Sequence, residues 1–109
     1  MSRVSGRIAQ LNDAFRTTLC GGKVMITNGV DALGPDTVAR ILAKVTAFSD
    51  FNQSNDPYGE HDFGAITEAC CTIFWKIDYY DPTLTFESDD PLDTKCTTRV
   101  MTLMLSNEY

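Results

Sequence analysis

The chain has 109 residues, 43% of them hydrophobic, and a formal net charge of −6 at pH 7. This length and composition predict one globular domain over residues 1–109 and exclude a largely disordered chain. The sequence has no run of about 18 apolar residues that would cross a membrane, and no apolar block follows its basic N-terminus as in a signal peptide. We therefore predict a cytoplasmic protein without membrane contacts.

The first half of the chain shows helical periodicity around a short strand. Apolar residues spaced by three and four predict a helix over residues 6–20, with Ser5 as its N-cap. A β-branched run predicts a strand over residues 23–27, closed by a tight turn at Asn28-Gly29. The segment Gly34-Pro35-Asp36 opens a second helix that should end near Phe48. A polar loop over residues 49–57 follows, and Phe51 is its candidate anchor.

From Tyr58 onward the apolar period changes to two, which predicts strands over residues 60–66 and 72–79, the second of them central. A hairpin turn falls between them at Glu68-Ala69-Cys70. Residues 83–87 are predicted to return as a partner strand, before an acidic loop over residues 88–93. Residues 97–106 are rich in β-branched residues and favour a strand, although their apolar spacing also fits a helix. These elements predict an α+β two-layer sandwich, with two helices from the N-terminal half on one face of a mainly antiparallel sheet of four to five strands.

Cysteine and histidine offer little support for a catalytic or metal site. The four cysteines, Cys20, Cys70, Cys71 and Cys96, form no C-x-x-C pair, so we predict free thiols. In a strand, Glu60 and Asp62 would lie on one face and the only histidine, His61, on the other, which is not a three-ligand metal site. We therefore predict no catalytic residues, no bound metal and no cofactor. A small metal-dependent or hydrolytic enzyme centred on His61 and Asp78 is the alternative hypothesis.

Charge is distributed unevenly along the chain. Residues 50–93 hold eleven acidic side chains and one basic one, a net of −10, whereas residues 1–49 carry +3 and residues 94–109 carry +1. So much negative charge repels phosphate and disfavours direct binding of nucleic acid. It suits a partner with a basic surface, such as a protein complex that handles nucleic acid. The predicted partner-binding residues combine carboxylates with exposed tyrosines: Tyr58, Glu60, Asp62, Tyr80, Glu87, Asp89, Asp90 and Asp93.

Three sequence blocks carry a family resemblance: DPYGEHDFG at residues 56–64, FWKIDYYD at residues 74–81 and TRVMTLML at residues 98–105. Together they resemble a family of small uncharacterised bacterial proteins, a domain-of-unknown-function family found on plasmids and phage-derived elements. The family has no established activity, so the resemblance supplies no catalytic residues. It implies a mobile-element setting and a non-enzymatic anti-defence protein of the anti-CRISPR kind, whose basic partner would be a CRISPR or restriction complex. A homo-oligomeric accessory protein, with basic helices facing the acidic strands of a neighbour, is the second alternative.

Overall fold

The computed structural model describes residues 3–109, and these form an α+β fold. Along the chain the elements are α1 (Arg3–Thr18), β1 (Gly22–Ile26), α2 (Asn28–Asp31), α3 (Pro35–Thr46), β2 (Phe63–Glu68), β3 (Cys71–Tyr80), β4 (Thr98–Leu105) and a final 3₁₀ turn (Ser106–Glu108). No helix within the described residues has both the length and the apolar character that would be needed to cross a membrane.

The four strands form one mixed sheet in the order β1-β4-β3-β2. β3 pairs antiparallel with both β2 and β4, which confirms that it is central, whereas β1 pairs parallel with β4. The helix-or-strand ambiguity over residues 97–106 is resolved in favour of a strand. The predicted α+β sandwich with a mainly antiparallel sheet is therefore confirmed, with four strands.

The core lies between the helices and one face of the sheet. Alternate residues of β3 and β4, including Trp75 and Leu103, pack with Phe15 of α1, Val30 of α2 and Ile41 of α3, and all five are almost fully buried. Because side chains alternate across a strand, the intervening residues point to the opposite face. The helices therefore cover one face of the sheet.

Several predicted boundaries and turns were wrong. Ser5 lies inside α1 and does not cap it, and Asn28-Gly29 begins the one-turn helix α2, for which the Thr27 side chain is the N-cap. The predicted strand over residues 83–87 is reduced to one isolated bridge between Tyr80 and Glu87. Its backbone is diverted because the Asp81 carboxylate accepts N–H bonds from Thr85 and Phe86, which folds the segment into a turn.

The segment Glu60-His61-Asp62 was also predicted as a strand, and this was wrong. β2 begins only at Phe63, and His61 has a φ of 54°, which is incompatible with an extended strand. Asp62 nevertheless remains beside β3, since its carbonyl accepts the Ile77 N–H at 2.8 Å. The hairpin turn was correctly placed at Ala69 and Cys70, between β2 and β3.

Candidate acidic interaction site

An acidic cleft of about 280 Å³ opens where the end of β3 meets the segment that follows it. Three of the predicted partner-binding residues, Asp62, Tyr80 and Glu87, line this cleft together with Asp78 and Ser88. Asp62 reaches it from the loop before β2, Tyr80 from the last position of β3, and Glu87 through its bridge to Tyr80. Sheet pairing thus brings together residues that are far apart in the sequence.

The acidic residues divide into those with a cationic partner and those without. Asp13 pairs with Arg16, Glu68 with Arg40 and Lys44, and Asp78 with Lys76. Within residues 3–109, none of the six predicted contact carboxylates forms an ion pair: Glu60, Asp62, Glu87, Asp89, Asp90 and Asp93. The whole predicted acidic set is therefore without an ion pair, as are five other carboxylates of the described residues: Asp31, Asp36, Asp50, Asp81 and Glu108.

The cleft makes ionisation of Asp62 unfavourable. Burial raises the pKa of the Asp62 carboxyl above its usual range, and the neighbouring carboxylates of Glu60, Asp56 and Asp78 raise it further. Like charges that approach a half-buried carboxylate favour its neutral form. A cation entering the cleft would relieve this repulsion, so the site is electrostatically suited to a basic group.

A buried polar network lies behind the cleft. Asn12 of α1 is fully buried, and its Nδ2 donates to the Tyr79 hydroxyl oxygen at 2.8 Å and to the Glu60 carbonyl at 2.9 Å. The Tyr79 hydroxyl donates to Glu60 Oε1 at 3.0 Å, and burial raises the pKa of Tyr79, so that it stays a neutral donor. Arg99 donates from Nε to Asn12 Oδ1 at 2.7 Å. Glu60 is thereby held in place by the fold and is less free to bind a partner than Glu87.

Arg99 also connects this network to the acidic loop. The guanidinium donates to the Pro91 carbonyl at 2.7 Å and lies 5.2 Å above the centre of the Tyr79 ring. Within the loop, the carboxylates of Asp90 and Asp93 accept the N–H groups of Leu92 and Lys95. Two of the predicted contact residues therefore also shape the loop that presents them, while the Asp89 side chain is exposed.

His61 is held between two carboxylates on the helical side of the molecule. Its Nδ1 lies 2.9 Å from Asp13 Oδ2, its Nε2 lies 3.5 Å from Asp56 Oδ2, and the ring stacks on Phe51 with centroids 3.8 Å apart. The two carboxylates thus face different ring nitrogens and do not converge on one point. Asp78 belongs to the opposite face of β3 and pairs with Lys76, so the predicted combination of His61 with Asp78 is not assembled. Phe51 is the loop anchor that the sequence predicted.

Tyr58 stands apart from the acidic cleft. It is 77% exposed, and its neighbours Pro57 and Gly59 line a separate cleft of about 260 Å³ beside Phe51 and His61. Of the predicted contact residues, the cleft therefore unites Asp62, Tyr80 and Glu87, and Tyr58 lies outside it. The other four are Glu60, held behind the cleft, and the loop residues Asp89, Asp90 and Asp93.

Sequence reasoning missed Asn12 and Arg99, which support the acidic cleft and its loop. It also missed Asp13, which contacts His61, and Arg16. A signal was present in α1, because Asn12 and Arg16 follow Ile8 at intervals of four and so share its buried face. Arg16 is 2% exposed and donates to the backbone carbonyls of Val45 and Phe48. Polar residues on the core side of an amphipathic helix point to buried hydrogen-bond partners, although not to which partners.

The sequence of this fold matches one protein family. The family model described as "Protein of unknown function (DUF3768)" matches residues 26–108. The chain is a member of the DUF3768 family, and the match takes in β2, β3 and β4 in full but only the last residue of β1, Ile26. No curated protein and no solved structure is significantly similar to it.

Proposed function

We propose that this protein is a non-enzymatic binding protein, whose acidic cleft and adjoining loop occupy a basic, nucleic-acid-binding surface of a partner protein complex. The observation that carries the proposal is the position of carboxylates that form no ion pair in residues 3–109: Asp62 and Glu87 line the cleft, and Asp89, Asp90 and Asp93 follow in the adjoining loop. A concentration of negative charge attracts basic protein surfaces of the kind that bind nucleic acid.

Tyr80 contributes a different kind of contact. Its ring lines the cleft beside the carboxylates of Asp62 and Glu87. Tyrosine offers a rigid apolar surface with a polar tip, and arginine guanidinium groups both stack on such rings and form paired hydrogen bonds to carboxylates. The combination favours a partner rich in arginine over a small anionic ligand.

The resemblance to proteins of mobile elements extends the proposal to the identity of the partner. A CRISPR effector or a restriction complex has a basic channel for nucleic acid, and an acidic protein bound there would inhibit it. This step depends on the mobile-element setting, whereas the basic character of the partner depends on the charge of the cleft. The two steps are tested separately.

The first experiment measures binding to a panel of purified complexes with basic nucleic-acid channels, including CRISPR effectors and restriction enzymes. The triple variant Glu87→Gln, Asp89→Asn, Asp90→Asn removes three charges and keeps the oxygen with which residue 90 accepts the Leu92 N–H. We expect its affinity to fall about tenfold, at roughly 0.5 kcal/mol for each exposed charge contact. Duplex DNA should compete with the wild-type protein, and binding should weaken as salt rises.

A matched control removes the same number of charges elsewhere. Asp31, Asp36 and Asp50 are all exposed and lie outside the cleft, so the triple variant with asparagine at these positions has the same net charge. We expect its affinity to stay within about twofold of the wild type, because affinity should depend on the position of the charges. Equal losses in both triple variants would contradict the proposed site. If only basic proteins unrelated to defence were bound, the assignment of the partner would be wrong and the basic-surface proposal would stand.

A further inference from the structure

The hairpin turn between β2 and β3 holds two adjacent cysteines in a strained backbone. Glu68 of β2 pairs directly with Cys71 of β3, which leaves Ala69 and Cys70 as the two turn residues, with φ of 54° and 60°. A non-glycine residue in the left-handed region costs about 1–2 kcal/mol. Strain of this kind is retained where the surrounding structure or the function requires it.

The turn places both cysteines on the same cleft. Two consecutive residues of a regular strand point to opposite faces, but the left-handed conformation of Cys70 interrupts that alternation. As a result Cys70 and Cys71 both line one opening of about 230 Å³, beside Leu105 and Ser106. Cys70 is exposed, and Cys71 is half-buried against the core.

The sulfur atoms of Cys70 and Cys71 form no stabilising hydrogen bonds within residues 3–109. Neither Cys70 Sγ nor Cys71 Sγ takes part in a hydrogen bond within residues 3–109, whereas Cys96 Sγ donates to the carbonyls of Asp90 and Asp93 at 3.6 and 3.5 Å. All four cysteines are free thiols in this part of the chain. The pair at the turn is therefore chemically available, unlike Cys96.

Direct oxidation is not the reaction that this geometry favours. The Cα atoms of neighbouring residues lie about 3.8 Å apart across a trans peptide, whereas disulfides prefer roughly 4.4–6.8 Å. A disulfide between Cys70 and Cys71 would thus add strain to a turn that is already strained. An atom bound between the two sulfurs allows them to lie further apart than a direct S–S bond does, and soft thiolates select soft ions.

We propose that Cys70 and Cys71 form a two-thiol binding site for soft, thiophilic compounds of the trivalent arsenical class. Within the described residues, no group of three or more His, Cys, Asp and Glu side chains could hold a metal ion. The site thus supplies two sulfur ligands. It fits an arsenic(III) centre that already carries an organic group as its third substituent. With a monosubstituted arsenic(III) oxide, two As–S bonds form, each thiol gives up its proton, and the oxide oxygen leaves as water, without any oxidation or reduction.

The test uses phenylarsine oxide and the intact protein. We expect a one-to-one adduct, whose mass equals that of the protein plus one phenylarsine oxide less one water, and which a small dithiol reverses. Cys70→Ser should weaken binding about 100-fold or more, because the second As–S bond is intramolecular and benefits from a high effective concentration. Cys20→Ser and Cys96→Ser are matched controls that should leave the affinity unchanged.

Cys71→Ala gives a second variant that must also lose the adduct, and its melting temperature shows whether the half-buried position still packs. Chemical shifts of the backbone amides of residues 66–73 should change on binding in the wild-type protein. Failure of the folded wild-type protein to form the adduct would overturn the proposal, as would an adduct of equal affinity in Cys70→Ser. Neither result depends on whether the acidic cleft binds a partner, because the two sites share no residue.

Discussion

Gly64 of β2 lies directly against the indole ring of Trp75, its register partner on β3. A Cβ added at this position would come within 2.5 Å of Trp75 Nε1 and 2.7 Å of Cε2. Because Trp75 is completely buried, the ring has no space into which it can move. We predict that Gly64→Ala lowers the free energy of unfolding by about 1–3 kcal/mol, because an extra methyl group overpacks the core. Urea denaturation measures this change.

Gly6 provides the matched control for this substitution. It lies inside α1, and nothing is within 4 Å of an added Cβ. Alanine removes the entropic cost of glycine in a helix, so Gly6→Ala should raise stability by about 0.5–1 kcal/mol. If the two variants shifted stability in the same direction, contact with the Trp75 indole ring would not be the reason that residue 64 is glycine.

At the residue scale, the roles of single positions could be predicted from the sequence, but their long-range partners could not. Phe51 could be identified as an anchor, because it is the only aromatic residue in a polar loop. The contact of His61 with Asp13 spans 48 positions, and no local pattern in the chain records it. The acidic contact set could be chosen from charge alone, yet which carboxylates remain without a cation depends on where Arg16, Arg40, Lys44 and Lys76 fall in the fold.

Among the elements, the β2–β3 hairpin is where local sequence and fold disagree most. Two-residue turns with both central residues at positive φ favour Asn-Gly, and here Ala-Cys occupies them. We predict that the double substitution Ala69→Asn, Cys70→Gly raises the free energy of unfolding by about 1 kcal/mol, because both residues then tolerate the left-handed region. Thermal or urea unfolding measures the gain.

The control for the hairpin prediction introduces glycine at an extended position of the same element. Ala65 of β2 is exposed and pairs with Phe74, so Ala65→Gly should lower stability by about 0.5–1 kcal/mol. A loss of stability in the double turn variant would show that Ala69 and Cys70 make a favourable contact that outweighs their backbone strain.

The elements themselves were predictable where one signal dominated. β3 and α3 have strong apolar periodicity, and both were found close to their predicted bounds. Residues 83–87 have the composition of a strand, but the local hydrogen bonds of Asp81 compete with sheet pairing and prevail. The parallel pairing of β1 with β4 could not be read from either strand, since it depends on how the helices cross the sheet.

For the whole molecule, excess negative charge should make stability depend on pH and salt. The folded-state pKa of Asp62 is raised, mainly by burial, above the unfolded value of about 3.9. The folded protein therefore binds this proton more tightly than the unfolded chain, so ionised Asp62 opposes folding at neutral pH and the opposition is relieved as the pH falls through the folded pKa. We predict that Asp62→Asn stabilises the protein at pH 7 by up to about 1 kcal/mol. The gain should shrink as the pH falls through the raised folded pKa, and it should be absent well below the unfolded pKa of about 3.9, where Asp62 is protonated in both states. Urea denaturation at several pH values measures it.

Glu108 supplies a control of opposite sign. Hydrogen bonds from the Thr27 hydroxyl and from the Leu105 and Gly29 amides lower the pKa of its carboxyl. Its contribution to stability is therefore present above the unfolded pKa and is lost as the pH falls through the folded one. Glu108→Gln should lower stability at pH 7 and have less effect in acid. If Asp62→Asn and Glu108→Gln shifted stability in the same direction at pH 7, the charge environment described for the cleft would be wrong.

The position of β4 between β1 and β3 constrains the order in which this protein can fold during synthesis. β1 has β4 as its sheet neighbour, and their register joins Gly22 to Arg99. Although β1 is made early, it has no strand to pair with until residues 98–105 have left the ribosome. The β2–β3 hairpin can form from local contacts, but the edge of β3 that will receive β4 stays unpaired over the same interval. A nascent chain that stalls before residue 98 would therefore expose two unsatisfied strand edges at once, and such edges favour aggregation or binding to chaperones.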